Sequence, residues 1–222
     1  AATAAAQRLY LRETSFYRDL APRLGTPTPQ CYFADIDENN HFLLLLDDLS
    51  PATAIDQFSG LTLEQAELGL RALADLHVGT VGDSVLFSTD WLQGTKEALA
   101  PLYQAILPGL FTTFLDRFRD ADAATIELVS EFAVRLPHYS SQSSHYQCVV
   151  HGDFRTDNLL FDGRGGEVPL AVVDWQTVSV SSPFLDVAYF LATSVEPELL
   201  LRETDRLLDY YLAVRSSLGA AI

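Results

Sequence analysis

Methionine is absent from the sequence, lysine occurs once and cysteine twice. A chain of this length ordinarily holds several methionines. The expectation is therefore a sequence that starts downstream of its natural beginning, or one that has shed residues, so that neighbouring numbers need not be neighbours in the native chain. Cys31 and Cys148 are too few for a disulfide framework and read as buried thiols of a reducing compartment. Basic residues are scarce: 14 Lys+Arg stand against 30 Asp+Glu, a net charge of −16. That argues against a nucleic-acid partner, which needs a basic face, and against an anionic membrane surface. No apolar run approaches the ~18 residues of a membrane span, and Phe42-Leu43-Leu44-Leu45-Leu46 is strand-sized. The first ten residues lack a basic stretch followed by an apolar one, so they do not read as a signal peptide. A cytoplasmic protein is expected by default.

What is present is a globular composition. Of 222 residues, 48% are hydrophobic and 20% charged, enough for one ordinary domain or two small lobes. Leu9, Glu13, Phe16, Tyr17 and Leu20 recur at helical steps, with Glu13 inside the apolar stripe. Cys31–Ile36 reads as a strand, Asp37–Asn40 as a turn and Phe42–Leu46 as a buried strand, together a hairpin. Asp47–Pro51 looks like a linker between lobes. Thr62 and Gln65 form a capping-box pattern, opening a helix with Leu70, Leu73, Ala74 and His77 on one side. Helices are expected over 99–107, 110–118 and 123–136, and a polar loop over Ser140–Ser144. Short strands follow at 147–151, 159–161 and 170–173, the last two joined by a turn at Asp162–Gly166. From Phe184 the pattern is helical again. Gly163, Gly165 and Gly166 read as turn glycines, because no helix follows them to make a phosphate site. The order implies an α+β chain with a small sheet lobe and a larger helical lobe.

The chemistry-bearing stretch is His151-Gly152-Asp153-Phe154-Arg155-Thr156-Asp157-Asn158, followed by Asp174-Trp175-Gln176. Asp153 and Asn158 lie five residues apart across a polar loop, and Asp174 stands 21 residues after Asp153, at the mouth of the hairpin. This spacing converges two carboxylates and an amide. Mg²⁺ prefers hard oxygen ligands and usually takes one or two carboxylates plus substrate phosphates, which suits Asn158 and Asp174. A nearby free carboxylate accepts the proton of an attacking hydroxyl, which suits Asp153.

The pattern H-G-D-x-x-x-x-N, then D-W-Q, resembles the aminoglycoside phosphotransferase and choline kinase superfamily, with its ecdysteroid-kinase-like branch closest in texture. These resemble protein kinases, and the resemblance implies a bilobal protein-kinase-like fold with ATP and Mg²⁺ as cofactors. It implies Asp153 as catalytic base and Asn158 and Asp174 as Mg²⁺ ligands. Ser182–Ala188 resembles a family segment whose acid, here Asp186, caps the catalytic loop through backbone hydrogen bonds. Leu45–Leu49 resembles the strand and hinge that read adenine, which points to Asp47, Asp48 and Leu49. Glu13 resembles the helix glutamate that pairs with a phosphate-binding lysine. Arg71–His77 resembles the family's A-x-L-H helix. The likeness runs from about residue 8 to 215 and is specific at 151–188. The sequence departs from the pattern upstream, where the family carries a nucleotide-binding loop and a strand lysine. The single Lys96 follows the hinge and cannot serve. The expectation is an incomplete small lobe: residues 1–49 as its remnant and hinge, and 50–222 as the catalytic and acceptor-binding lobe.

Several residues carry plainer readings. Asp157 reads as a solvated loop acid, His77 as a core histidine, and His151 as an orienting rather than a basic residue. Trp175 reads as packing. Glu13 either faces a lysine outside the sequence or is unpaired, which is costly when buried. Arg155 and Gln176 are candidates for contact with substrate or phosphate. The resulting expectation is a kinase for a hydroxyl of a small molecule, with the acceptor near 90–120 and 180–215. The acidic chain favours a cationic acceptor by steering, whereas the ecdysteroid-kinase-like texture points to a bulky neutral alcohol. The alternative is a kinase-shaped module that binds nucleotide or a partner without turnover. A protein kinase is disfavoured, because Pro183 follows Asp174 by nine residues and leaves almost no activation loop.

Overall fold

The computed structural model describes residues 8–93, 95–141 and 146–220. Its contacts divide into two units, Ala1–Gln93 with Tyr146–Ile222, and Gly94–His145. The first holds the sheets and every chemistry-bearing residue singled out above.

Helix α1 (Leu9–Ser15) runs into a π turn at Phe16–Leu20 and a 3₁₀ turn at Ala21–Arg23. The apolar stripe is real, since Phe16, Tyr17 and Leu20 are buried. Strands β1 (Cys31–Ile36) and β2 (Phe42–Leu46) pair antiparallel, from Ile36 opposite Phe42 to Cys31 opposite Leu46, with a bulge between Cys31 and Phe33. The Asp37 side chain closes the turn by accepting the Asn39 and His41 N–H groups at 2.8 and 2.9 Å. The expected burial of β2 does not hold. Leu43 is 61% exposed and Leu45 55%, because β1 and β2 form a two-stranded sheet with no third described strand.

Helix α2 (Leu63–Thr80) starts at the capping box: the Gln65 N–H donates to Thr62 Oγ1 at 3.3 Å, and the Thr62 N–H donates to Gln65 Oε1 at 3.0 Å. Its Leu70, Leu73, Ala74 and His77 face is buried. A short α3 (Ser84–Phe87) follows. The second unit is a pair of packed helices, α4 (Thr95–Arg117) and α5 (Ala123–Ser141). The break expected between 107 and 110 does not occur. Pro108 lies inside this continuous helix although an interior proline costs a hydrogen bond, and the helix packs on its neighbour α5. Ser140 and Ser141 end α5, and the rest of the expected polar loop, 142–144, lies outside the described residues.

Strand β4 (Cys148–Val150) is fully buried and pairs with β7 (Ser179–Ser181). β5 (Leu159–Gly163) pairs with β6 (Val168–Val172) on one side and with β3 (Thr53–Ala54) on the other. Neither β3 nor β7 is visible in the sequence, since two or three residues carry no periodicity. Helices α6 (Pro183–Ser194) and α7 (Pro197–Ser217) complete the unit. α2 packs on α6, α7 and β4. The core joins Phe16, Leu70, Leu73, Val149, Phe154, Trp175, Phe190 and Tyr211. It lies directly behind the His151–Asn158 loop.

Candidate active site

The loop after β4 is held from below. The Asp186 carboxylate on α6 accepts the His151 N–H on Oδ2 at 2.7 Å and the Gly152 N–H on Oδ1 at 2.9 Å. His77 Nε2 approaches the same Oδ2 at 3.4 Å, and His77 Nδ1 meets the Tyr211 hydroxyl at 2.7 Å. Asp186 is wholly buried. A buried carboxylate survives when its lone pairs are taken by N–H donors. Gly152 turns the chain at φ +85°, where a Cβ would stand 2.8 Å from the Thr177 carbonyl oxygen. Glycine is the residue that fits both demands.

Burial pushes the His151 imidazole below its ordinary proton affinity, so the ring is neutral. Its Nδ1 accepts the Asp153 N–H at 3.3 Å, which leaves Nε2–H to donate to the Val173 carbonyl at 3.0 Å. His151 thus ties the loop to the end of β6 and has no free lone pair to act as a base. Trp175 stacks on Phe16 with ring centroids 3.6 Å apart.

The hairpin register sets two of the predicted residues side by side, and the Asn158 amide ties in the third, Asp153. Leu159 stands opposite Val172, and the Val173 N–H donates to the Asn158 carbonyl at 3.0 Å. Asp174, the next residue, therefore leaves the hairpin beside Asn158. The Asn158 Nδ2 donates to the Asp153 carbonyl at 2.8 Å and to Asp153 Oδ2 at 3.2 Å. This turns the Asn158 amide oxygen away from the base. Asp174 adopts φ +63°, an uncommon left-handed conformation for a non-glycine residue.

Around Asp153, the Tyr189 hydroxyl donates to Oδ1 at 2.9 Å, and Arg155 Nε lies 3.3 Å from the same oxygen. Arg155 Nη1 is engaged by Asp157 Oδ2 at 2.9 Å and Gln57 Oε1 at 3.2 Å. Arg155 is thus committed to protein partners, and Asp157, though exposed, is one of them. Gln176 is half-buried in the turn after Asp174.

Glu13 on α1 faces Asp174 and the Trp175 N–H. Burial, then repulsion from Asp174, pushes its carboxyl up to about 7, against the pull of that N–H. The Tyr17 phenol is buried beside Glu13, Cys31 and Asp174 and is pushed up by desolvation first. The hinge candidates have contacts of another kind. The Asp47 N–H donates to the Gln30 carbonyl at 2.9 Å and its carboxylate pairs with Arg164. Asp48 accepts the Ser50 N–H at 2.9 Å. The Leu49 carbonyl accepts the Arg164 N–H at 3.0 Å.

The donor set suits a hard divalent cation. Asp174 Oδ1 is buried and makes no hydrogen bond among the described residues. An unpaired buried carboxylate oxygen is costly, and a cation removes that cost. Asn158 has an amide oxygen that could join that of Asp174, and two such protein ligands beside phosphates is the usual set for Mg²⁺.

The model of the Ecdysteroid kinase-like family matches residues 1–216. The chain belongs to that family. The solved structures it resembles extend the kinase-like fold to nearly its whole length. An aminoglycoside phosphotransferase from Streptomyces rimosus superposes at a TM-score of 0.56 with 16% identity, over 100% of this chain and 77% of that one. An aminoglycoside 2′-phosphotransferase in its GDP complex gives 0.57 with 14% identity, over 96% and 69%. A macrolide 2′-phosphotransferase from Brachybacterium faecium gives 0.52 with 14% identity, over 98% and 66%. In sequence, the chain is 36% identical over 83 residues to acyl-CoA dehydrogenase family member 10 of Mus musculus, a stretch covering 37% of this chain and 8% of that protein. The chain thus spans about two thirds of these solved relatives and a small part of the curated one.

Tyr189 and Gln57 carry no motif and were not foreseen from the sequence. For Tyr189 a signal exists: it follows Asp186 by three residues, one turn along the same helical face. No helix among the described residues is long and apolar enough to cross a membrane.

Proposed function

We propose that the protein is an ATP- and Mg²⁺-dependent phosphotransferase acting on a hydroxyl of a small molecule. The observation that carries this reading is the hairpin register that sets Asp174 beside Asn158, whose amide is bonded to Asp153, with Asp174 Oδ1 buried and without a hydrogen-bond partner among the described residues. Family membership and the fold shared with phosphotransferases support it. Asn158 and Asp174 would hold Mg²⁺, which when bound neutralises charge on the β- and γ-phosphates. Asp153 orients the acceptor hydroxyl and takes its proton as the oxygen attacks the γ-phosphorus and the β–γ bridging bond breaks. Asp186 and His151 hold the loop. The hinge at Asp47–Leu49 would meet adenine through backbone groups other than the Asp47 N–H and Leu49 carbonyl, which are bonded to Gln30 and Arg164. Glu13 borders the phosphate end through Asp174.

One observation favours the second reading, a nucleotide-binding module without turnover. Among the described residues, the groups that shift Glu13 are the Asp174 carboxylate and the Trp175 N–H, beside its own burial.

Calorimetric titration of ATP, with and without Mg²⁺, tests the nucleotide site. The expected result is affinity at least about tenfold tighter with Mg²⁺, a gain of about 1.4 kcal/mol, and loss of that gain in Asp174→Asn. Absence of binding in both conditions overturns the phosphotransferase reading. Binding without turnover favours the module.

A further inference from the structure

The neighbours of Asp153 are unequally shared between its two oxygens. Oδ1 takes the Tyr189 hydroxyl at 2.9 Å and has the Arg155 guanidinium at 3.3 Å. Among the described residues, Oδ2 takes the Asn158 amide alone, at 3.2 Å. Each oxygen thus accepts one hydrogen bond, but Oδ1 has the shorter one and also the Arg155 charge beside it, which leaves Oδ2 the less engaged oxygen. The Tyr189 contact also belongs to a larger pattern. Helix α6 touches the catalytic loop three times: Asp186 at His151 and Gly152, Tyr189 at Asp153, and Ser194, whose hydroxyl accepts the Thr156 N–H at 3.2 Å. Asp186 and Tyr189, three residues apart, share one helical face, and Ser194 meets the loop from the last turn. Asp186 and Ser194 hold backbone. Tyr189 alone of the three holds the side chain that would do the chemistry.

We propose that Tyr189 is a positioning residue for Asp153: its phenol pins Oδ1, so that Oδ2 is the atom presented to the acceptor hydroxyl and the one that takes its proton. The inference rests on the phosphotransferase reading and adds to it the residue and the oxygen. Tyr189 suits the task in two respects. Its ring is half-exposed at the loop mouth and anchored on a helix whose Asp186 is wholly buried. Burial, then its bond to Asp153, pushes its phenol up, so the hydroxyl keeps its proton and donates. A hydrogen bond to an ionised acceptor is about twice as strong as a neutral one, which suffices to select one carboxylate rotamer over its alternatives.

The step balances with water as the simplest acceptor. The water oxygen attacks the γ-phosphorus, its proton passes to Asp153 Oδ2, and the β–γ P–O bond breaks with its electron pair leaving on ADP. Intrinsic MgATP hydrolysis is therefore the readout, and no acceptor has to be identified. Native protein, Tyr189→Phe and Tyr189→Leu are compared for kcat, for the KM of ATP and for calorimetric MgATP affinity. The expected result is kcat about tenfold lower in both variants, the loss typical of one charge-assisted hydrogen bond, with KM, MgATP affinity and Tm of the Phe variant unchanged. A native rate in Tyr189→Phe with a loss confined to Tyr189→Leu overturns the proposal, because ring packing then explains the residue. A rise in KM at constant kcat in Tyr189→Phe also overturns it, placing the phenol on the nucleotide instead. Native protein that binds MgATP and does not hydrolyse it overturns this inference together with the assignment of Asp153 as base. Hydrolysis by native protein and by Tyr189→Phe at equal rates overturns the inference alone.

Discussion

Two aspartates at this site look alike in sequence and differ in surroundings. Asp186 is wholly buried and spends both oxygens on the His151 and Gly152 N–H groups. Asp153 is half-exposed, and each of its oxygens accepts one side-chain hydrogen bond among the described residues, from Tyr189 and from Asn158. Asparagine substitution separates their roles. In Asp186→Asn, an NH₂ must face one of two N–H donors, leaving it unpaired at a cost of about 1–3 kcal/mol. Urea denaturation should report that loss of stability. Asp153→Asn should leave the urea midpoint and MgATP affinity near native while turnover falls by about 10²–10⁴-fold, the usual worth of a general base. Equal stability loss in the two variants would contradict this division of labour. The HGD motif pointed to Asp153 and Asn158. Gln57 was invisible, because it reaches Arg155 from 98 residues away.

At the scale of elements, α2 and α6 touch where Gly69 meets Phe190. A Cβ on Gly69 would stand 2.4 Å from Phe190 Cζ, and Phe190 is wholly buried, edge-on to Phe154. Gly69→Ala would gain up to about 1 kcal/mol of helix propensity, against an overpacking cost of about 1–3 kcal/mol. The clash outweighs the gain. A lower Tm is expected, with a reduced kcat because α6 carries the loop contacts. A Tm at or above native would show that α6 can shift freely. The start of α2 was legible because a capping box is local. The exposure of β2 was not, because a five-residue apolar run is the same whether one face of its sheet is covered or both are. The continuous α4 shows the converse error, in which a local breaker lies inside a helix packed against α5.

For the whole molecule, the buried imidazoles couple stability to pH. Burial lowers the proton affinity of His77 and of His151 below the ordinary 6.5. On acidification the unfolded chain therefore binds these protons first. The stability they carry is present above 6.5 and is lost as pH falls from 6.5 towards the lowered folded values. Glu13 acts in the opposite sense between 4.5 and about 7, because its folded form holds the proton more tightly. The His77 contribution is isolated by difference. Thermal melts of native protein and His77→Gln at pH 7.5 and pH 5.5 should show native Tm falling further than that of the variant. Parallel falls would mean that folding leaves the proton affinity of His77 unchanged. The net charge of −16 acts over the same range and is common to both proteins, so it cancels in the comparison.

The sequence by itself determined the features whose causes lie within a few residues: the capping box at Thr62, the turn at Asp37, the β5–β6 hairpin, and the HGD and DWQ motifs that mark the chain's family. Tertiary structure decided what depends on partners far apart in the chain. It set Asp186 under His151, turned His151 into a neutral strut to Val173, confronted Glu13 with Asp174, and placed Tyr189 on Asp153. The physical reason is that a residue type announces its chemistry, whereas burial and the identity of its neighbours decide whether that chemistry is spent on holding the loop or left free to act on a substrate.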